Sequence, residues 1–511
     1  LVKIEVSDLI EGLLDAQAYP HPSRQIRLIE THISYVFLTG DFAYKLKKPV
    51  HLPFVDFSTL ELRRRSCDDE VTLNRRLAEE IYLEVVPIGG TVREPRVGAT
   101  PAIEYAVKMV QFSPSMTLDR LIDDGQIQPQ AITALAERIA AFHDDLNPLY
   151  DQAGEDAVLA NLQSLSAAID ATRRQRLKTV ASWLQEQSRR LEPQRLQRRR
   201  GGFIRECHGD LHLGNLLWID GRILPFDCIE FSLALRSIDT LDEVAFLVMD
   251  LMAHSRTDLA FEFLNRYLEK SGDYRGVCLL RYFMVHRALV RSYVHVLASK
   301  SGNTSELDPY LGLANELTKE QAPILFITHG FSGSGKTTVT DALIGRIPGI
   351  RVRSDLVRKR LCGLQPGERS DSGIGTGLYT RSTSDATYRA LADFAGIALE
   401  AGFDVIVDAA FLERARRRVF AAVAQRHEAG FCVLSMTADE ALLRQRITQR
   451  QARGSDASEA DTAVLEYQLQ YAEPISEDEH GIVISVDTGG PVEANQLVKR
   501  IRSRLADRDV R

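Results

Sequence analysis

Two stretches of this 511-residue sequence carry side chains whose types and spacing could handle phosphate. The first, Gly330-Phe331-Ser332-Gly333-Ser334-Gly335-Lys336-Thr337, fits G-x-x-x-x-G-K-[ST] and runs on into Thr338. Its glycines let consecutive backbone N–H groups face one concavity, a cradle for anionic oxygens at a helix start. Lys336 would reach the β- and γ-phosphates of a nucleoside triphosphate, and the Thr337 hydroxyl would ligate Mg2+. The second stretch is His208-Gly209-Asp210-Leu211-His212-Leu213-Gly214-Asn215, with Asp227 downstream. Phosphoryl transfer to an alcohol needs an aspartate to accept the hydroxyl proton, and an Asn and an Asp to hold Mg2+. Asp210 is therefore the candidate base, and Asn215 and Asp227 are the candidate metal ligands.

Around the glycine-rich stretch, the apolar run Ile324 to Ile327 precedes it, and Val339, Ala342, Leu343 and Ile347 follow at helical spacing. That is strand, turn and helix, the setting such a loop requires. Further strands are predicted at Ile350 to Arg353, Phe403 to Asp408, Phe431 to Met436 and Val483 to Val486. Strands alternating with helices give a parallel sheet covered on both faces, with ligands at the strands' carboxyl ends. Asp408, closing a buried strand, suits a metal- or water-coordinating acid. Asp355 is either a second acceptor-activating base or a helix N-cap. Arg358 follows it by about one turn and is a candidate substrate contact. Arg444, Arg446 and Arg450 share one helix, the last two on one face; they are either lid arginines or a solvated surface. Residues 363–377, rich in Gly, Ser and Asp, read as a mobile substrate-side loop.

Upstream, Arg27 to His32, Ser34 to Thr39 and Phe42 to Lys48 read as three strands with a tight turn at Gly40-Asp41. Phe42-Ala43-Tyr44-Lys45 has the shape of V-A-I-K, and Glu70, on a helix from Leu60 to Glu80, is placed to pair with Lys45. Ile132, Leu135, Ile139 and Phe142 form an apolar helical stripe, closed by His143 as a core residue. Residues 156–200 read as helical with a basic end, and 231–300 as apolar helices. A breaker cluster at 299–304 and Pro323 set a boundary near 320. The expected domains are 1–320, with a smaller lobe to about 110 and a larger lobe from about 111, and 321–511. The latter is long enough to bury its own core.

The composition narrows the class. Apolar and charged fractions of 44% and 26% are those of a globular protein. A formal charge of −7 argues against bulk binding to nucleic acid or membrane surfaces. No run reaches the length of a membrane span, and Leu1 to Glu5 lacks a signal-peptide layout. The six cysteines are scattered with no C-x-x-C, so neither zinc nor a disulfide framework is indicated. A reducing cytoplasm is the expected compartment.

H-G-D-L-H-x-G-N, with Lys45, Glu70 and Asp227 in order around it, resembles the aminoglycoside phosphotransferase superfamily, which also holds choline and other small-molecule kinases. The resemblance covers roughly 25–300 and implies a two-lobed, protein-kinase-like α+β fold, ATP and Mg2+ as cofactors, and a hydroxyl acceptor. Lys45 and Glu70 would then serve the nucleotide, and His208 would brace the loop. No G-x-G-x-x-G covers the phosphates. The C-terminal half resembles the P-loop small-molecule kinases: gluconate and shikimate kinases, polynucleotide 5′-kinase and zeta-type toxins. That implies an α/β/α domain in which Gly330 to Thr338 hold ATP, Asp355 activates the acceptor, Arg358 binds it, Thr337 and Asp408 hold Mg2+, and Arg446 and Arg450 act on the transferring group. In order, the two halves are similar to bacterial proteins described as bifunctional aminoglycoside phosphotransferase-like/ATP-binding. The expectation is a bifunctional ATP-dependent phosphotransferase acting on unidentified small-molecule hydroxyls. The alternatives are that one half is a regulatory ATP-binding or ATPase module, or that the second is a polynucleotide 5′-hydroxyl kinase with Arg414 and Arg416 to Arg418 as a phosphate track.

Overall fold

The computed structural model describes residues 2–150, 165–298, 307–365, 380–453, 460–476 and 482–509, together with 162, 368 and 479 and apart from positions 24, 53, 54, 124 and 168. Most of the expected loop at 363–377 and part of the helical reading over 156–200 lie outside these residues.

The chain packs as two compact units. One takes Leu1–Leu135, Phe142–Glu155 and Gln197–Leu247; the other takes Ala136–Ala141, Asp156–Leu196 and Val248–Arg511. The change of strand pattern near 320 and the packing division therefore do not coincide. Residues from Val248 onward fall in the unit that holds the parallel sheet.

In the first unit, β1 (Arg27–Glu30), β2 (Ser34–Leu38), β3 (Phe42–Lys47), β4 (Tyr82–Gly90), β5 (Pro95–Val97) and β6 (Glu104–Val110) form one antiparallel sheet, ordered β1-β2-β3-β6-β4-β5. Val107 and Met109 are buried with Cys67, Val71 and Ala78 of α1 (Leu60–Ala78), which packs on the sheet. Thr59 caps α1, its hydroxyl accepting the Leu62 N–H at 3.2 Å. That helix has a function for the site: it carries Glu70 to the strand bearing Lys45. The hairpin of β7 (Leu216–Ile219) and β8 (Arg222–Pro225) separates the Asp210–Asn215 stretch from Asp227.

In the second unit, β9 (Ile324–His329), β10 (Gly349–Arg353), β11 (Asp404–Asp408), β12 (Gly430–Thr437) and β13 (Ile482–Asp487) make a wholly parallel sheet, ordered β10-β11-β9-β12-β13. β9 is central, with Leu325, Phe326 and Ile327 buried. Such apolar runs are what strands covered on both faces require. The helices that matter below are α2 (Thr257–Ser271), α3 (Lys336–Leu343), α4 (Ser354–Leu361), α5 (Arg381–Glu400), α6 (Arg414–Arg426) and α7 (Glu440–Arg453). The strand order reverses at β9, so the cleft at its carboxyl end lies at a switch point. No helix among the described residues is long and apolar enough to cross a membrane.

Candidate functional site

In the antiparallel unit, Lys45 is the hub. Its Nζ lies 2.8 Å from Glu70 Oε1 and 2.6 Å from Asp227 Oδ1. The expected lysine–glutamate pair is thus formed, with Glu70 fully buried. The other Glu70 oxygen is 2.6 Å from Lys47 Nζ, and Lys47 also pairs with Glu230. Burial pushes the Glu70 carboxyl up, but the ammonium groups of Lys45 and Lys47 override it and hold it well below the usual range. Lys47 and Glu230 were not singled out in the sequence, although Lys47 shares the strand face of Lys45 by simple alternation.

The catalytic-type loop is held from several sides. His208 Nδ1 accepts the Asp210 N–H at 3.3 Å, which leaves Nε2 to donate to the Phe226 carbonyl at 2.9 Å. Burial lowers the His208 pKa, keeping the ring neutral in that role. Glu243 accepts the Gly209 N–H at 2.7 Å and meets His143 Nε2 at 2.7 Å, so His143 is a satisfied interior residue as expected. Gly209 has φ +88, and a Cβ there would sit 3.1 Å from the Leu235 carbonyl oxygen. Asn215 Nδ2 donates to the Asp210 carboxylate at 2.8 Å and to its carbonyl at 3.0 Å. The amide nitrogen is therefore spent on Asp210, and the amide oxygen is the atom suited to a cation. His212 Nε2 stands 3.4 Å from the same carboxylate. Asp227 holds a left-handed backbone at φ 59, and its N–H donates to the Tyr82 hydroxyl at 3.1 Å. Strain of this kind persists where surrounding contacts fix it, commonly at functional sites. The Asn215 amide oxygen and the Asp227 carboxylate are hard oxygen donors of the kind that suit Mg2+.

In the parallel unit, the glycine-rich loop joins β9 to α3. Gly333 has φ +80, and a Cβ there would lie 2.7 Å from the Leu443 carbonyl oxygen; only glycine lets the loop run so close to α7. Lys336 Nζ donates to the carbonyls of Gly330 (3.0 Å) and Phe331 (2.7 Å), curling the side chain over the loop. Burial brings its pKa down to about 8. The Ser334 hydroxyl is buried with no hydrogen-bond partner, an orphan polar atom beside the cradle. Ser332, Gly333, Gly335, Lys336, Thr337 and Thr338 line a cavity of about 1050 Å³. Gly330, Phe331 and Ser334 shape the loop without lining that cavity. Phe331 instead packs against the cluster of Leu443, Ile447 and Leu465.

The acids face the same cavity. Asp408 closes β11, nearly buried, with Thr340 Oγ1 at 3.1 Å from its Oδ2; burial raises its pKa. Asp355 lies in the first turn of α4, with Arg353 at the N-cap position, so Asp355 is not the cap. Its Oδ2 pairs with Arg353 Nη2 at 2.7 Å and its Oδ1 accepts the Leu356 N–H at 2.9 Å. Burial pushes this carboxyl up, but Arg353 more than compensates, and the acid stays ionised. Asp408 and Thr337 both line the cavity, and their side-chain oxygens are donors compatible with Mg2+.

Among the arginines the structure selects. Arg446 and Arg450 line the cavity; Arg446 Nη2 donates to the Thr488 carbonyl and Arg450 Nη2 to that of Ala460, each at 2.5 Å. Arg444 lies outside the lining, paired with Glu440 (2.9 Å) and Glu466 (3.2 Å) at the exposed face. Arg358, the candidate substrate contact, also lines the cavity. Sequence reasoning missed Tyr388 and offered Arg416 only as part of a polynucleotide track; both are in the lining, with the guanidinium 3.9 Å from the ring centre. Of the arginines offered as a phosphate track (Arg414 and Arg416 to Arg418), Arg417 is not free for phosphate: it is buried and paired with Glu479 at 2.6 Å, and it donates to the Phe411, Glu473 and Pro474 carbonyls.

Both architectures have known counterparts. Residues 63–274 match the sequence family described as "Phosphotransferase enzyme family", and residues 325–475 match "AAA domain". The chain therefore joins an N-terminal, protein-kinase-like phosphotransferase domain to a C-terminal P-loop ATP-binding domain. The family membership supports ATP-dependent phosphotransferase activity. The chain is 29% identical over 449 residues to "Uncharacterized protein Rv2004c" of Mycobacterium tuberculosis (strain ATCC 25618 / H37Rv), covering 85% of this chain and 88% of the relative. The Mycobacterium bovis protein Mb2027c matches to the same extent. Solved structures with partial likeness include a choline/ethanolamine kinase family protein from Mesorhizobium loti (12% identity, 61% of this chain and 95% of that one, TM-score 0.37). Another is a kinase described as putative from Chloroflexus aurantiacus (21% identity, 37% of this chain and 99% of that one, TM-score 0.31).

Proposed function

We propose that the kinase-like centre transfers the γ-phosphoryl group of ATP to a hydroxyl of a small molecule, with Asp210 as the base. The observation that supports this best is the Asp210 carboxylate, oriented by Asn215 at 2.8 Å, in one unit with the Lys45–Glu70–Asp227 ion pairs. Lys45 would hold nucleotide phosphate oxygens, kept charged by Glu70. Asp227 and the Asn215 oxygen would hold the metal. Mg2+·ATP, when bound, supplies the electrophilic phosphoryl group and screens its oxygens. Asp210 then takes the acceptor's proton, which general-base catalysis typically rewards by ~10²–10⁴-fold.

For the P-loop centre, transfer to a second acceptor is the reading made from the sequence. The cavity continues past Lys336, Thr337 and Asp408 to Asp355, Arg358 and Tyr388, which is room for an acceptor. An ATP-binding or ATPase module serving the first domain is the better-supported reading, on two observations. Asp355 is already paired with Arg353 at 2.7 Å, and the segment matches an AAA domain. The buried state of Arg417 counts against a polynucleotide 5′-kinase. We keep 1–320 and 321–511 as the two functional domains. The cytoplasm remains the proposed compartment, since the six cysteines are all free thiols.

The test is a phosphate-transfer screen of a metabolite library with the full chain, run in Asp210→Asn and Lys336→Ala backgrounds. Phosphorylated products lost only with Asp210→Asn support the kinase-like transferase. Products lost only with Lys336→Ala support a second transferase. ATP hydrolysis without any product in the Asp210→Asn background selects the ATPase reading. No Asp210-dependent product across the library counts against the proposal.

A further inference from the structure

β10 is the edge strand of the parallel sheet, so one row of its backbone groups lacks a strand partner. Asn265 of α2 takes up that role. Its Nδ2 donates to the Gly349 carbonyl at 2.9 Å, and its Oδ1 accepts the Arg351 N–H at 2.6 Å. About one turn on, Glu269 reaches the side chains of the same strand. Arg351 is wholly buried, and its Nε lies 2.8 Å from Glu269 Oε1. On its other side Arg351 Nη1 donates to Asp341 Oδ1 at 2.7 Å and to the Thr340 hydroxyl at 3.2 Å. That hydroxyl is the one beside Asp408. Arg353, on the same strand face, has Nη1 4.0 Å from Glu269 Oε2 and clamps Asp355. Arg266 closes the network, 3.2 Å from Glu269 and 2.9 Å from Asp341.

We propose that Glu269 is a positioning residue for the P-loop centre, fixing Asp408 through Arg351 and Thr340 and fixing Asp355 through Arg353. Its purpose rests on the reading that this cavity handles nucleotide. Two buried or nearly buried guanidiniums leave water only if carboxylates neutralise them, and removing one partner of such a set leaves an uncompensated charge. The strand then shifts to hydrate it, carrying α3 and α4 along. Glu269 and Asn265 lie within 63–274, the segment that matches the phosphotransferase family. An element of the first sequence family thus builds the acid geometry of the second family's site.

Hydrogen–deuterium exchange on the full-length protein decides it without needing a ligand. Glu269→Gln should speed amide exchange in 336–343 and 354–361 by about tenfold, while 324–329 in the central strand stays protected. Because Glu269→Gln risks misfolding, Glu269→Leu combined with Arg351→Met provides a second variant without the buried charge. It should fold and still show the local loss, since Thr340 and Arg353 have lost their fixed neighbours. Arg275→Ala, which breaks the exposed pair with Asp393, serves as the control with no such change. Turnover of ATP at this centre, measured with Asp210→Asn present, should fall about tenfold in kcat with KM for ATP within about twofold. Glu269→Asp, which keeps the charge, should recover part of it. Unchanged exchange in both helices, or a uniform rise across 324–509, overturns the proposal. If the unmodified chain binds no nucleotide here, the proposed function of the cavity fails, while the exchange result still decides the role of Glu269.

Discussion

The two phosphate-handling centres are built in opposite ways. In the kinase-like unit, Lys45, Glu70 and Asp227 meet across up to 182 residues of chain, and ion pairs draw them together. In the P-loop unit, most of the phosphate cradle is one uninterrupted run, Gly330 to Thr338, shaped by backbone conformation, and only the acids come from other strands. The first centre is consequently rich in charged neighbours already compensating one another, whereas the second holds a lysine of lowered pKa in a concavity. A site held by opposed charges is sensitive to losing any one of them. A site held by backbone tolerates side-chain loss in its shape but not in its chemistry.

The sharpest way to break this comparison is Asp210→Asn. Transfer at the kinase-like centre should fall by ~10²–10⁴-fold, with nucleotide affinity at the P-loop centre unchanged, as read by a coupled assay and by titration calorimetry. Loss of both activities in a folded protein would end the view of two separable centres. Next comes Asp355→Asn, for which turnover at the P-loop centre should drop by at least about two orders of magnitude if Asp355 is the acceptor base. Its melting temperature should also fall, by an amount equivalent to about 1–3 kcal/mol, because the Arg353 guanidinium loses its carboxylate. A fully active Asp355→Asn protein leaves the ATPase reading in possession of that site.

Lys336→Ala should weaken ATP binding at the P-loop centre by about 10–100-fold, the equivalent of one charge-assisted hydrogen bond, and leave the kinase-like centre alone. A gentler probe of the same lysine is pH. Its pKa is lowered from 10.5 to about 8 in the free protein, so the ammonium is lost as pH rises through about 8. ATP affinity should therefore decline above that point, by at most about tenfold per pH unit. Stability runs the other way. Below about 8 the buried ammonium penalises the folded state, and the penalty is relieved between about 8 and 10.5. A flat affinity profile over that window would show that Lys336 does not contact the phosphates. The smallest expected effect is that of Arg444→Ala, which removes only two exposed ion pairs. Activity at both centres should stay unchanged and stability should move by less than about 0.5 kcal/mol.

The contrast between the centres also explains what could be read without coordinates. A glycine-lysine run fixes its own geometry through neighbouring φ values and N–H directions, so its identity and its place between strand and helix were legible. The spacing of His208, Asp210 and Asn215 was legible for the same reason, since the loop's hydrogen bonds span only a few residues. Alternation of apolar strands with helices was enough to define a parallel sheet, because period and burial are local properties. Even the Lys45–Glu70 pair could be anticipated, but only as a possibility, since strand and helix had first to pack.

What the tertiary structure alone decided concerns partners and faces. Helical period puts Arg446 and Arg450 on one side, yet it does not say which side meets the cavity or that Arg444 looks away from it. Arg417 and Arg416 are neighbours in an identical basic run. One is sealed inside by Glu479 while the other lies on Tyr388 at the cavity wall. Arg351 reads as one more strand residue, but an edge strand with open backbone groups needs a cover, and α2 supplies it together with the Glu269 carboxylate. Such pairings join residues tens to hundreds of positions apart. Their energies depend on burial and distance, quantities that a chain acquires only when it folds.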